Sequence, residues 1–515
     1  MNVNTIWFLA AFAAYLAMMI VIGAFYMKKN KDADDFFLGG RGLSGWVAAL
    51  SAQASDMSGW LLMGLPGSVY ALGTGQAWIA VGLLIGTVLN WCCISARLRR
   101  YTIRANNSMT FPEYLENRFH DKKRVLLLVS SVVIVIFFLV YTASALAAGG
   151  KLFASVFGVD YTMALTIGAA VILAYTFMGG FMAVCTTDFI QGTLMLIGLL
   201  VVPILAYLVM GPDQAAANLA ASEAPGGVAG YLDMFSNGES HYSAVEIISQ
   251  LGWGLGYCGM PHILTRFMAV KNETELKKSM VIAIVWVTLS LGMAVVIGIV
   301  GRAYLFPVIL GEGAVSTENV FIEMITQLFT KDLNLAFVGG IFLCGILAAI
   351  MSTADSQLLI TASSASKDIY QGVLNPKADS KKVLLLSRVT VIVVAVLAYL
   401  IALDPNSSIM GLVSNAWAGL GAAFGPTVVL SLFWKRINTA GAVAGILSGG
   451  LTVVLWDYIP LAGGQTLGAF TGLYSLVVGF AASLVLIVAA SLCTKAPDAA
   501  ILREFEDVAA GRARD

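Results

Sequence analysis

The sequence predicts an all-α polytopic membrane protein with about thirteen transmembrane helices, and three observations carry that expectation. Of its 515 residues, 59% are hydrophobic and only 12% charged, where soluble domains carry about 25% charged residues. Mean hydropathy is +0.85. The apolar residues come in long continuous runs and not in alternating segments of about ten, which implies helices and argues against an outer-membrane barrel.

Each span follows from length and apolarity. About 20 mostly apolar residues are needed to cross a hydrocarbon core about 30 Å thick. By that measure the spans run at 5–27, 43–73, 77–97, 125–150, 160–180, 188–210, 244–266, 279–301, 333–364, 385–403, 408–434, 439–458 and 466–493. The first lacks a basic lead-in and is long enough to remain as a span, so no cleaved signal is expected. Of the 30 Lys and Arg residues, 27 fall in the tail and in the loops after spans 1, 3, 7, 9 and 11, leaving only Lys151, Arg302 and Lys331 elsewhere. Basic residues resist translocation, which puts the N-terminus outside and the C-terminus in the cytoplasm. The stretch 211–243 has no Lys or Arg and reads as an external loop, whereas 375–382 reads as a short polar cytoplasmic linker.

Composition also removes whole classes of function. Thirty basic residues balance thirty acidic ones, so there is no net field to recruit nucleic acid. The six cysteines and three histidines are scattered without metal-ligand spacing, so no transition metal is expected. No nucleophile sits beside a base in the pattern of an enzyme. A channel would want a continuous pore with charged rings, whereas the polar residues here gather at one depth.

The chemistry begins at residues 51–67, SAQASDMSGWLLMGLPG. A carboxylate at membrane depth costs roughly 2.5 to 3.5 kcal/mol on insertion scales, so Asp56 must face a cavity, pair or serve an ion. Ser58, Gly59, Gly64, Pro66 and Gly67 loosen the helix around it and free backbone carbonyls. Such interruptions coordinate Na⁺ in secondary transporters. The competing reading is a kink packed through small residues, with Asp56 capping the break.

A second interruption lies five spans on, in GWGLGYCGMPHILTRF, residues 252–267. Two broken spans at that interval are the mark of an inverted repeat of five plus five helices. The chain then divides into an extra N-terminal helix with its loop (1–40), a first repeat (41–210), an external loop (211–243), a second repeat (244–434), two C-terminal helices (435–493) and a tail (494–515). At a four-residue spacing Trp253 and Tyr257 are expected one turn apart on one helical face. In span 9, Ser352, Thr353, Asp355 and Ser356 cluster within little more than a turn, as ion ligands or as hydroxyls bonded back to the preceding turn. Asp188, in CTTDFIQ, opens span 6 either as a site residue or as a helix N-cap.

These motifs, with LVSNAWAGLGAAFGP at 412–426 and Tyr141 after FFLV, resemble the proline-carrying branch of the sodium:solute symporter family over nearly the whole chain. The resemblance implies a leucine-transporter-type core in spans 2–11 and Na⁺-driven uptake of L-proline across a bacterial cytoplasmic membrane, with Na⁺ the coupling ion and no cofactor. Nucleic acid and an obligatory protein partner are not implied. Carried over by position, Na⁺ would be held by the carbonyls of Ala54, Met57 and Ala349 with the hydroxyls of Ser352 and Thr353, and Asp56 would support that site. Ser58, Tyr141, Trp253, Tyr257 and Pro261 would line the proline pocket. Arg41 matches a position tied to coupling at the cytoplasmic mouth. Asp188, Ser352, Asp355 and Ser356 are expected to form a second cation or proton site.

Overall fold

The computed structural model describes residues 3–27, 38–176, 180–238, 240–311, 316–460 and 463–511. Every extended element in them is a helix. The spans are α1 (Val3–Met27), α2 (Gly45–Asp56, then Trp60–Leu72), α3 (Thr74–Arg104), α4 (Val125–Phe157), α5 (Tyr161–Thr176) and α6 (Phe181–Met210). They continue as α7 (Ala244–Leu251, Gly252–Gly259, Pro261–Ala269), α8 (Glu273–Leu305), α9 (Ala336–Leu374) and α10 (Ser380–Ile401). The last three are α11 (Ile409–Phe433), α12 (Thr439–Tyr458) and α13 (Ser475–Cys493). Ten of the helices among the described residues are long and apolar enough to cross a membrane unbroken. The other three spans are the interrupted α2 and α7 and the short α5.

Both interruptions have local causes. In α2 the backbone leaves the helix at Met57, with φ −82° and ψ 73°. In α7 a capping box between Ser243 and Glu246 starts an ordinary helix, which tightens into a 3-10 segment over Gly252–Gly259. Glycine is required there by proximity: a Cβ on Gly254 would run into the Gly82 carbonyl of α3, and one on Gly256 into the Trp417 indole of α11. Met260 then turns extended, at φ −85° and ψ 106°, and Pro261 opens the second half. Proline suits that first helical position because its missing N–H has no partner to lose there.

The breaks sit at the centre of the molecule. In α9 and α11 the most apolar stretch is 83% buried, against 28% in α10 and α13, so the former are core and the latter periphery. Several boundaries move from the sequence expectation. Span 9 runs ten residues further, because its polar end continues as a π-helix, Ser364–Leu374. The expected loop 211–243 contains helices Pro212–Ala221 and Gly227–Leu232. The unassigned stretch before α9 contains Val320–Gln327, whose buried residues pack into the core. The C-terminal helix Ala499–Ala509 lies against the end of α3 and the loop after it, with Arg104 3.7 Å from Asp507 and His120 3.1 Å from Glu504, and this end of the molecule is called the basic face below.

Candidate functional site

In a continuous α2 the N–H of Ser58 would bond to Ala54 O. It donates to Asp56 O at 3.0 Å instead, and Met57 N–H keeps the last regular bond, to Gln53 O at 2.8 Å. The Ala54 carbonyl is thereby released toward α9. Ser352 Oγ donates to it at 2.7 Å and Thr353 Oγ1 at 3.4 Å. Ser352 is also 3.2 Å from Ala349 O in its own helix, the longer of its two bonds, so the backward-bonding reading of these hydroxyls is the secondary one. Ala54, Met57, Ala349, Ser352 and Thr353 are all fully buried. Neutral oxygens gathered in this way suit a hard monovalent cation, because each hydroxyl can rotate its proton away and present a lone pair.

Asp56 sits at the end of the same half-helix and is fully buried. Its Oδ2 accepts from the Tyr257 hydroxyl at 2.7 Å, and its backbone carbonyl accepts from Trp60 Nε1 at 3.0 Å. Its side chain does not cap the helix that follows. Its Oδ1 has no hydrogen-bond partner among the described residues. The carboxylate therefore links the two broken helices, leaving one oxygen uncommitted a residue away from the Met57 carbonyl. The amide of Asn90 braces this contact by donating to Tyr257 O at 3.0 Å from a π-helical turn, Asn90–Ile94, within α3.

The aromatic residues form a wall, but not the one the spacing suggests. A 3-10 helix has about three residues per turn, so a four-residue step rotates by about 120° and Trp253 and Tyr257 cannot share a face. This corrects the α-helical reading. Trp253 stacks on Tyr474 of the α12–α13 connection, with centroids 5.2 Å apart and planes at 20°. Tyr257 meets Trp417 edge-on at 5.2 Å, and Trp417 Nε1 donates to Trp253 O at 2.8 Å. Tyr141 stands edge-on to His262 at 6.4 Å, next in the chain to Pro261. Ser58, Tyr141, Trp253, Tyr257 and Pro261 are all buried, so this arrangement is closed to solvent. Asn90, Trp417 and Tyr474 were not singled out from the sequence. Trp417 lay inside a quoted motif, but nothing local marks the other two.

Asp188 is not a helix cap. α6 starts at Phe181 after Gly180, which places Asp188 two turns inside it, and this corrects the capping reading. Its Oδ2 accepts from Ser51 Oγ at 2.6 Å and from Arg266 Nη2 at 3.2 Å. Arg266, expected in a basic loop, is fully buried in the second half of α7. It donates further to Ser51 Oγ at 3.1 Å, His262 O at 3.0 Å and Ser356 Oγ at 2.6 Å. Of the expected second-site group, Asp188, Asp355 and Ser356 stay connected around Arg266 and Ser352 stands apart. Asp188 and Ser356 share the guanidinium, Ser352 turns to Ala54, and Asp355 Oδ1 lies 3.5 Å from Ser356 Oγ. The guanidinium already supplies a positive charge between Asp188 and Ser356.

Arg41 stands apart from these groups, on the basic face. It donates to Asn107 Oδ1 at 2.9 Å, Thr102 Oγ1 at 3.2 Å, Met268 O at 2.5 Å and Ser108 O at 2.8 Å. It thereby ties the lead-in to α2 to the ends of α3 and α7.

Comparisons with known proteins agree with this architecture. The sodium:solute symporter family pattern matches residues 36–449. The chain is 41% identical over 501 residues to the sodium/proline symporter of Escherichia coli, covering 97% of this chain and 95% of that protein. It is 42% identical over 489 residues to the high-affinity proline transporter PutP of Bacillus subtilis, covering 95% and 98%. With the osmoregulated proline transporter OpuE of the same species it shares 40% over 491 residues, covering 95% and 96%. Among solved structures, a substrate-bound, outward-open Na⁺-coupled sialic acid symporter superposes with a TM-score of 0.76 at 21% identity, covering 96% of this chain and 99% of that one. A nucleobase-cation-symport-1 transporter superposes at 0.53 and 14% identity, covering 92% and 98%. Two helices interrupted five spans apart and a family match spanning the whole core lead to one conclusion: this chain is a multi-pass membrane transporter, not an enzyme, and belongs to the sodium:solute symporter family.

Proposed function

We propose that the chain carries L-proline into a bacterial cell together with Na⁺, by alternating access in the cytoplasmic membrane. The observation that carries this reading is the pairing of the Ala54 carbonyl with the Ser352 hydroxyl at 2.7 Å, two residues before Asp56 and its contact with Tyr257 at 2.7 Å. An ion site and an aromatic pocket are then joined through one carboxylate. The names of its relatives in Escherichia coli and Bacillus subtilis support proline as the solute. The excess of Lys and Arg on one face supports a cytoplasmic C-terminus and an external N-terminus.

In this reading Ala54, Met57, Ala349, Ser352 and Thr353 hold Na⁺, drawing α2 and α9 together. Asp56 offsets the ion's charge and passes its position to Tyr257. Ser58, Tyr141, Trp253, Tyr257 and Pro261 line the proline pocket, where aromatic rings suit a pyrrolidine ring and the broken helix ends suit its carboxylate and ammonium. Binding of one ligand then raises affinity for the other, and linkage makes the effect reciprocal. The core comprises residues 41–210 and 244–434, flanked by 1–40, 435–493 and the tail, with Arg41 acting on opening to the cytoplasm. Each Na⁺ moved inward adds about 2.3 kcal/mol per 100 mV of membrane potential to the driving force.

Uptake of labelled proline into proteoliposomes, with and without an inward Na⁺ gradient, tests the reading. Accumulation that requires Na⁺ and is competed by unlabelled proline is expected. Uptake indifferent to Na⁺, or competed better by another small amino acid or carboxylate than by proline, would refute the assignment of ion or of solute respectively.

A further inference from the structure

The ring of Trp253 is positioned by a residue outside the ten-span core. Tyr474 precedes α13, and its ring lies 5.2 Å from the Trp253 indole with planes at 20°. Hydrogen bonds hold both the residue and the turn that carries it. The Tyr474 hydroxyl donates to Ser414 O of α11 at 2.8 Å, its backbone N–H donates to Ser249 Oγ of α7 at 3.1 Å, and Ser249 Oγ in turn donates to Gly472 O at 3.1 Å. Trp456 Nε1 and Ser475 Oγ brace the same connection, donating to Leu473 O at 3.0 Å and Asp457 Oδ2 at 2.7 Å. A Cβ on Gly252, one residue before Trp253, would strike Val477 of α13. Trp253 is left 7% exposed.

We propose that Tyr474 is a positioning residue of the solute pocket: by stacking its ring on Trp253 from a backbone bonded to α7, it fixes the indole against which the solute packs and so sets solute affinity. This rests on the reading that Trp253 lines that pocket. A residue outside the core would thus tune recognition without touching the ion site, because Tyr474 bonds and stacks with α7 and α11 and not with Ala54, Ser352 or Thr353.

The test compares Na⁺-driven proline uptake by the wild type with Tyr474→Leu, Tyr474→Phe, Trp253→Ala and the Trp253→Ala/Tyr474→Leu double variant, each corrected for its amount in the membrane. A stacked aromatic pair is expected to be worth roughly three- to tenfold in KM. Tyr474→Leu should raise KM for proline by that factor, with kcat and the half-saturating Na⁺ concentration held within about twofold. Tyr474→Phe, which keeps the ring, should stay within about twofold of the wild-type KM. In the Trp253→Ala background, Tyr474→Leu should add nothing further. Leu leaving KM unchanged while Trp253→Ala raises it would overturn the proposal, as would Phe behaving like Leu. If Trp253→Ala itself leaves KM unchanged, the pocket reading fails and the proposal with it, a result distinct from failure at Tyr474 alone. Should Leu not reach the membrane, Tyr474→Met makes the same comparison.

Discussion

The hydroxyl of Tyr257 donates to Asp56 Oδ2 at 2.7 Å, so a buried hydrogen bond joins the two interrupted helices at their breaks. One partner sits beside the released carbonyls of α2 and the other in the aromatic wall of α7. Removing the donor leaves a buried carboxylate short of a partner, a cost of about 1 to 3 kcal/mol. Tyr257→Phe is therefore expected to weaken proline and Na⁺ together, each by about tenfold. Paired titrations of uptake against proline and against Na⁺ check this, and a change in only one of the two would contradict the coupling role.

Asp56→Asn removes the charge but keeps the shape. Half-saturating Na⁺ is expected to rise by more than about tenfold, while proline affinity at saturating Na⁺ changes less, because the pocket walls are intact. An unaltered Na⁺ response would count against placing the ion beside this residue.

Ser352 and Thr353 reach the same carbonyl at different distances, 2.7 Å and 3.4 Å. Ser352→Ala should accordingly weaken Na⁺ more, by about tenfold against about threefold for Thr353→Val. Na⁺ should also raise the thermal stability of the purified wild type, since a ligand at 100 times its Kd adds about 2.7 kcal/mol to the folded state. That thermal shift should shrink in Ser352→Ala, and its persistence at full size would place the ion elsewhere.

Arg266 and Asp188 are a buried pair, both without exposure and 3.2 Å apart. Breaking such a pair from one side costs about 3 to 5 kcal/mol, more than removing both charges. Arg266→Met and Asp188→Leu should each lower the melting temperature in detergent, and the double variant should recover part of the loss. Losses that simply add would show that the two charges do not act as a pair.

The hydrogen bonds of Arg41 to Asn107, Thr102, Met268 and Ser108 need a planar fork with several donors. Arg41→Lys is expected to slow transport severalfold while equilibrium proline binding stays near wild type. Stopped-flow or filter uptake set beside binding on the same preparation separates these effects, and a parallel loss of binding would contradict a role confined to opening.

The sequence by itself determined the spans, the two interruptions and the hydroxyl-rich turn of α9, because apolar length, glycine content and clustered Ser and Thr are local properties that any neighbouring chain must accommodate. Residues 54–58 and 349–353 were legible for that reason. What they contact was not. Only the tertiary structure decided that the Ala54 carbonyl faces Ser352, that a 3-10 segment turns Trp253 and Tyr257 to different partners, and that Arg266 is drawn from an apparent loop to Asp188 inside the protein. Each depends on groups far apart in the chain, 298 residues apart for Ser352 and Ala54, and a buried polar atom takes its partner from whatever packing brings within reach.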